Sequence, residues 1–474
     1  MVCDAAECAL AVNQVPAALA FLECGRGVLI RDALNRRLDL DDLRRHSSDL
    51  ADALARVNTD LDGYPADLPL GIPGEVFRRW TTDRRHRLLT TRQELVHRIR
   101  KSTPLKRFEL PAELEELSPL AAEGPIVVVN LGAGRSDAVI LVDGGPEVVR
   151  LPGLSLTETE DRVAAFHTAI QESSNRSADP EEQEEAEATV VATLAWLWSV
   201  LAEPVLDRLG LGPRPDGDTA ADPWPRLWWS PTGLLNFLPL HAAGTFETGA
   251  SALDRVVSSY TPTLRMLGES RRPRVPAATE PRLLVVALPR TPGMTALDGV
   301  SREVMTLAKR FGKLTPLIGP NATTENILRV LPRHPWVHIG CHALTNLAQP
   351  SESHLVAHDG RVSIRDLAGV RTEQGELAFL AACDTVRGAP GIPDEAIHLG
   401  AAFQLAGYRH VIGTLWEAAD DVAARIVEDV YKAVPRDSPI ASGIPIALHT
   451  AVCALRQRYP RVPSLWSGYA HFGP

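Results

Sequence analysis

Two reactive side chains, His342 and Cys383, each follow a short apolar run that reads as a β-strand. Trp336-Val337-His338-Ile339-Gly340 leads into Cys341-His342-Ala343, and Leu377 to Ala381 leads into Ala382-Cys383-Asp384-Thr385. In a parallel α/β sheet, reactive groups collect at the carboxyl ends of the strands. If the two strands are neighbours, an imidazole and a thiol 41 residues apart face each other across one crevice. A thiol with its ordinary pKa near 8.5 is mostly protonated at neutral pH, and a nearby imidazole takes its proton. The thiolate then attacks a carbonyl carbon, the imidazolium protonates the leaving group, and backbone N–H groups at the strand ends hold the oxyanion.

The same residues also suit quieter roles. A cysteine after an apolar strand packs as a small buried hydrophobe, and a histidine there serves as a satisfied structural group. His338, Cys341 and His342 together suggest a metal. Neighbours in a strand point to opposite faces, so Cys341 and His342 do not share one in regular geometry. Neither metal nor cofactor is needed for the thiol chemistry.

The elements that would position this pair are strands and helices in alternation. Leu227 to Trp229, Val257 to Tyr260, Leu283 to Leu288 and His410 to Thr414 read as further strands. Helices are expected over Val190 to Leu209, Ser301 to Phe311, Glu395 to Leu405, Asp421 to Val434 and Ile444 to Tyr459. That alternation argues for an α/β sheet with parallel pairs. Pro125 to Asn130 and Asp137 to Val142 flank Gly132-Ala133-Gly134, which reads as a hairpin turn. It lacks the further glycine and following helix of a dinucleotide loop, and no Walker A pattern occurs. The first hundred or so residues read as helical. Ser47 or Ser48 caps a helix carrying Leu50, Leu54, Val57 and Leu61, and a second helix covers Arg84 to Arg100. Between Arg78 and Arg107 the basic side chains are opposed only by Asp83 and Glu94, a solvated face or a contact for an acidic partner or nucleic acid.

With 474 residues, the chain has room for about three domains, or two with one large. Its 45% hydrophobic and 23% charged residues exclude wholesale disorder. Lys+Arg 49 against Asp+Glu 59 gives a net charge of -10, so the chain is not built overall to coat nucleic acid or an anionic membrane. Ala188 to Ala202, broken by Thr189, Thr193 and Ser199, reads as too short and too polar to span a bilayer. Met1 to Gly25 carry Asp4 and Glu7 and no Lys or Arg, unlike a secretory signal, so the cytoplasm is expected. Six scattered cysteines without a C-x-x-C pair suggest free thiols.

Several blocks of the sequence resemble the CHAT domain peptidases, caspase-like cysteine peptidases of the caspase, separase and gingipain clan, often found in bacteria behind tetratricopeptide repeats. Leu227 to Gly244 looks like the opening block, and Val257 to Leu264 follows it. Val337 to His342 resembles the catalytic-histidine block, and Leu377 to Thr385 the catalytic-cysteine block. Gly407 to Trp416 and Trp466 to Gly473 complete the series, which spans roughly 190 to 474. Ala5 to Leu61 resembles the helical tail that links repeats to this domain, although no full repeat array is present.

The resemblance implies a caspase-like, mostly parallel sheet flanked by helices, preceded by a helical region over 1–108. The peptidase region would cover 109–474, with a non-catalytic half to 290 and a catalytic half from 291. It implies Cys383 as nucleophile, His342 as base, and the N–H groups of Cys383 and Ala343 as the oxyanion hole. The family usually has glycine after the histidine. Ala343 there is unfavourable if the position needs a positive φ, and it favours the rival reading of a non-catalytic scaffold or sensor. Clan members that cut after Arg or Lys place an acid in the S1 pocket, for which Asp384, Asp394, Glu395, Asp420 and Asp421 are candidates. Asp394, Asp420 and Asp421 serve equally as helix caps. His241, Trp228, Trp229 and Trp416 read as fold-forming. The expected partners are a protein or peptide substrate and a protein activator acting through the helical region.

Overall fold

A computed structural model describes residues 2–25, 40, 43–62, 74–110, 112–175, 179–213, 224–245, 249–274, 282–311, 314–344, 352–381, 399–434 and 443–474, with side chains left out at 62, 74–83 and 420. The strands run in chain order as β1 Ile126–Leu131, β2 Ser136–Val142, β3 Gly145–Arg150, β4 Arg226–Pro231, β5 Gly244–Thr245, β6 Ala250–Ser251, β7 Val257–Tyr260 and β8 Leu283–Ala287. They continue as β9 Leu314–Ile318, β10 Trp336–Gly340, β11 Ala343–Leu344, β12 His354–Val356, β13 Arg361–Ser363, β14 Leu377–Leu380, β15 His410–Thr414 and β16 Tyr469–Phe472. Eleven of them form one sheet in the order β3-β2-β1-β4-β7-β16-β15-β14-β10-β8-β9. β8, β10, β14 and β15 run parallel, and β16 is antiparallel to β15 but parallel to β7. β10 and β14 are buried along their whole length. Strands covered on both faces need continuous apolar runs, which is why Trp336–Gly340 and Leu377–Leu380 lack polar alternation.

The expected hairpin forms, with β1 antiparallel to β2 and Leu131 opposite Ser136 across the turn. The strands Leu314–Ile318 and Tyr469–Phe472 were not expected from periodicity. β16 is the strand that joins the two parallel blocks into one sheet.

The helix Pro180–Arg208 passes through one wider π-turn at Trp198–Ala202. Its best 18-residue window has a mean hydropathy of 1.6, long and apolar enough to cross a membrane by composition alone. Length and composition therefore suffice to span a bilayer, unlike the shorter stretch Ala188 to Ala202. Over half of that window, 56%, is buried inside the fold, where Leu194, Leu197, Leu201 and Leu206 pack as core.

The chain divides into two compact units, Met1–Ile30 with Ala112–Pro474, and Arg31–Pro111. The division differs from a boundary near 108, because the first two helices, Val2–Ala11 and Val15–Gly25, belong with the sheet. Ala6, Leu10, Leu19 and Leu22 pack against Ile126, Val128, Val139 and Trp228. Asn130 Nδ2 donates to the Cys3 carbonyl at 3.1 Å, and Glu23 accepts from the Leu264 amide at 2.9 Å. The second unit pairs the helices Ser48–Asp62 and Gly74–Ser102 around Leu50, Leu54, Val96, Ile99 and Phe108. Its long helix exposes Arg85, Arg87, Arg98 and Lys101.

Candidate active site

β10 and β14 are parallel neighbours, with Trp336 opposite Leu377 and Ile339 opposite Leu380. The ladder continues one step further, since the Ala381 amide donates to the Ile339 carbonyl at 2.9 Å. The two strand ends foreseen in the sequence therefore lie side by side at one sheet edge. Cys383, Asp384, Asp394 and Glu395 lie outside the described residues.

His342 is half-buried, and its Nε2 lies 2.8 Å from the carbonyl oxygen of Thr295. A carbonyl only accepts, so Nε2 carries the proton and donates. In the neutral ring that leaves Nδ1 as the acceptor, the atom able to take a proton. Thr295 sits in the loop after β8. That loop is tied to β10 by the Leu288 amide on the Gly340 carbonyl at 2.8 Å, and closed by the Leu297 amide on the Pro289 carbonyl at 2.9 Å.

The neighbouring thiol is of a different kind. Cys341 is 1% exposed, and burial pushes its pKa up to about 12, partly offset by the Val356 amide. It stays a protonated thiol at neutral pH and is no nucleophile.

Ala343 opens β11 and pairs with Leu355 of β12. Among the described residues, only Asn13 and Glu109 are non-glycines with positive φ, so Ala343 needs no left-handed backbone. The Val356 amide donates to the His342 carbonyl at 2.8 Å. That bond makes Ala343 and Leu355 a non-hydrogen-bonded pair, whose N–H groups point outward. The Ala343 N–H thus faces away from β12. The turn between β12 and β13 is held in turn, because Asp359 accepts from the Thr324 amide at 2.8 Å.

Asp420 is the first residue of the helix Asp420–Ala433, and the capping position is Ala419, with no side-chain cap. Neither Asp420 nor Asp421 caps this helix, contrary to expectation.

Beneath the site, His338 Nε2 meets Glu303 Oε2 at 2.9 Å, with 1% and 3% of the two side chains exposed. The imidazole ring lies 5.4 Å from Phe379 and 5.8 Å from Tyr431, centroid to centroid. His338, Cys341 and His342 thus occupy three separate environments. Sequence reading missed Glu303, although it falls on the inward stripe Val300, Glu303, Leu307 of its helix. It also missed Thr295, which acts through a backbone atom and leaves no side-chain signal.

Away from this edge, Trp228 and Trp229 are fully buried. Trp416 donates through Nε1 to the Ser464 carbonyl at 2.9 Å. His241 is buried with Nδ1 2.8 Å from the Tyr260 hydroxyl. His410 Nδ1 meets His471 Nε2 at 2.9 Å, and His471 Nδ1 meets Ser259 Oγ at 2.8 Å, a buried chain across β15, β16 and β7.

Residues 191–474 match the family described as CHAT domain, more than half of the chain. The chain belongs to the CHAT domain family. No curated protein matches this CHAT chain. Among solved structures, a chain of the Saccharomyces cerevisiae separase–securin complex at 3.0 Å superposes with a TM-score of 0.55 at 11% identity, covering 76% of this chain and 30% of that one. A second structure of the complex, at 2.6 Å, gives 0.52 at 10% identity, with 97% and 40% covered. A complex of the pro- and mature domains of RgpB from Porphyromonas gingivalis scores 0.38 at 11% identity, covering 67% of this chain and 76% of that one. The CHAT chain thus spans less than half the length of the separase-complex chains it matches. At these identities the separase likeness is one of fold: a large, mostly parallel sheet flanked by helices, in the caspase-like arrangement.

Proposed function

We propose that this CHAT protein is a cysteine endopeptidase that hydrolyses peptide bonds in protein substrates through a His342/Cys383 dyad. The observation that carries this reading is the register of β10 on β14. Each paired position differs by 41 residues, which is also the separation of His342 and Cys383. The proton state of His342 supports it, because an Nε2 committed to Thr295 leaves Nδ1 for the thiol.

In this mechanism the Cys383 thiol gives its proton to His342 Nδ1 and the thiolate adds to the scissile carbonyl. The N–H groups of Ala343 and Cys383 take the oxyanion. His342 then protonates the leaving amine, and water releases the acyl group. Neither metal nor cofactor enters these steps. For cleavage after Arg or Lys, Asp384, Asp394 and Asp420 are the acids proposed for the S1 pocket.

We further propose a cytoplasmic enzyme kept latent until a protein activator docks on the helical unit. Its exposed arginines suit an acidic surface. The similar separase structures contain securin, a protein partner of that protein.

The test is incubation of the purified protein with a mixed peptide library, with and without cell lysate, beside Cys383→Ala. Cleavage lost in the variant supports the peptidase and reads out the residue before the cut. No Cys383-dependent cleavage in either condition favours the scaffold reading. The non-positive φ of Ala343 supports the peptidase reading over that one.

A further inference from the structure

We propose that Glu303 and His338 are a positioning pair that holds the Thr295 carbonyl against His342. This rests on the reading of His342 as the base.

The two atoms of the Thr295–His342 bond hang from different elements. His342 follows β10 directly, and Thr295 lies three residues before the helix Asp298–Phe311. The Leu288–Gly340 bond ties the start of the Thr295 loop to β10, so the distance between the helix and β10 sets where the other end of that loop, and with it the Thr295 carbonyl, sits. Glu303 is on the helix and His338 is on the strand, and their 2.9 Å hydrogen bond bolts the two together. One turn above it, the contact is as close as side chains permit. A Cβ at Gly340 would lie 3.0 Å from Val300 Cγ1 and 3.4 Å from Glu303 Oε2.

Stability alone does not account for the pair. Both side chains are buried, at 1% and 3% exposure, and the His338 ring packs against Phe379 and Tyr431. Among the described residues, His338 Nδ1 has no partner, and neither has the Tyr431 hydroxyl. A buried carboxylate–imidazole pair with unmet polar atoms beside it is a poor substitute for apolar packing of the same volume. What it supplies is a fixed direction and length, which apolar contacts do not. Here that fixed length is delivered where the base is oriented.

The geometry yields a readout independent of turnover. In the wild type, the ¹⁵N spectrum of the His342 ring should show a protonated Nε2 and an acceptor Nδ1, assigned by the loss of its signals in His342→Asn. Glu303→Met keeps the packing and removes the bond. It should produce a mixture of the two tautomers at neutral pH. Glu303→Gln keeps an accepting oxygen and should restore the wild-type pattern. Where Glu303→Met fails to fold, Glu303→Asp, one carbon shorter, decides by the same signals. In the peptidase assay, Glu303→Met should lower kcat by about tenfold with KM within about twofold, because a displaced base costs turnover more than binding.

Unchanged His342 tautomers in the folded Met or Asp variant overturn the proposal, as does failure of Gln to restore them. A wild type that never cleaves peptides overturns the peptidase reading instead. The ring spectrum still decides the positioning role in that case.

Discussion

The Nε2 of His342 donates to the carbonyl oxygen of Thr295 at 2.8 Å, 47 residues away in the chain. The bond fixes the tautomer of this imidazole, the base in the proposed mechanism, and it does so through backbone. Thr295→Ala should therefore leave peptidase activity within about twofold, since its exposed side chain takes no part and surface substitutions usually cost less than ~0.5 kcal/mol. His342→Asn should lower kcat/KM by at least ~10³-fold. A large loss in Thr295→Ala would mean that the hydroxyl, not the carbonyl, does the work.

Ala343 lies in an extended strand rather than a left-handed turn. Ala343→Gly should not raise activity, and it should destabilise the protein by roughly 0.5–1 kcal/mol through the added freedom of the unfolded chain. Paired urea unfolding and peptide cleavage would check this. A marked gain of activity would show that the strand geometry hinders the oxyanion hole.

Thiol labelling should separate the cysteines. Burial holds Cys341 as a thiol with a pKa of about 12, whereas Cys8 is exposed. Iodoacetamide at pH 8 should modify Cys8 readily and leave Cys341 untouched until the protein unfolds. Mass spectrometry of the tryptic peptides reads both. Rapid native labelling of Cys341 would refute its burial.

Acid should weaken the fold. Burial lowers the pKa of His241 and of His449 to about 4, with the Arg456 charge lowering His449 further, and it takes His410 and His471 well below the usual value. Each group binds its proton more readily unfolded than folded. Stability is thus full above about pH 6.5 and falls as the pH drops toward 4. At pH 5, His241 and His449 should each contribute a loss of about 2 kcal/mol. The urea midpoint at pH 8 and pH 5 measures the fall, and His449→Gln should shrink it. An equal midpoint at both pH values would contradict the burial of these rings.

Much of this was legible in the residues. Trp336–Gly340 and His410–Thr414 are strands with the bounds read from the sequence, because a strand buried on both faces is a mostly apolar run, and its buried histidines, His338 and His410, find partners in Glu303 and His471. The hairpin at Gly132 was legible for a similar local reason. Leu314–Ile318 was not, because Pro316 and a half-exposed edge erase the apolar run.

The order of residues marks which segments can be buried strands, and shows that an imidazole and a thiol each follow one of them. It also carried the ordered blocks of the CHAT family. It takes the folded sheet to make those two strands neighbours in a 41-residue register, to bring Thr295 onto His342, and to bring Glu303 to His338. Local patterns are written in adjacent residues because burial periodicity is local. Pairing between distant strands, and the reach of a backbone carbonyl, depend on how the whole sheet packs, which no short window contains.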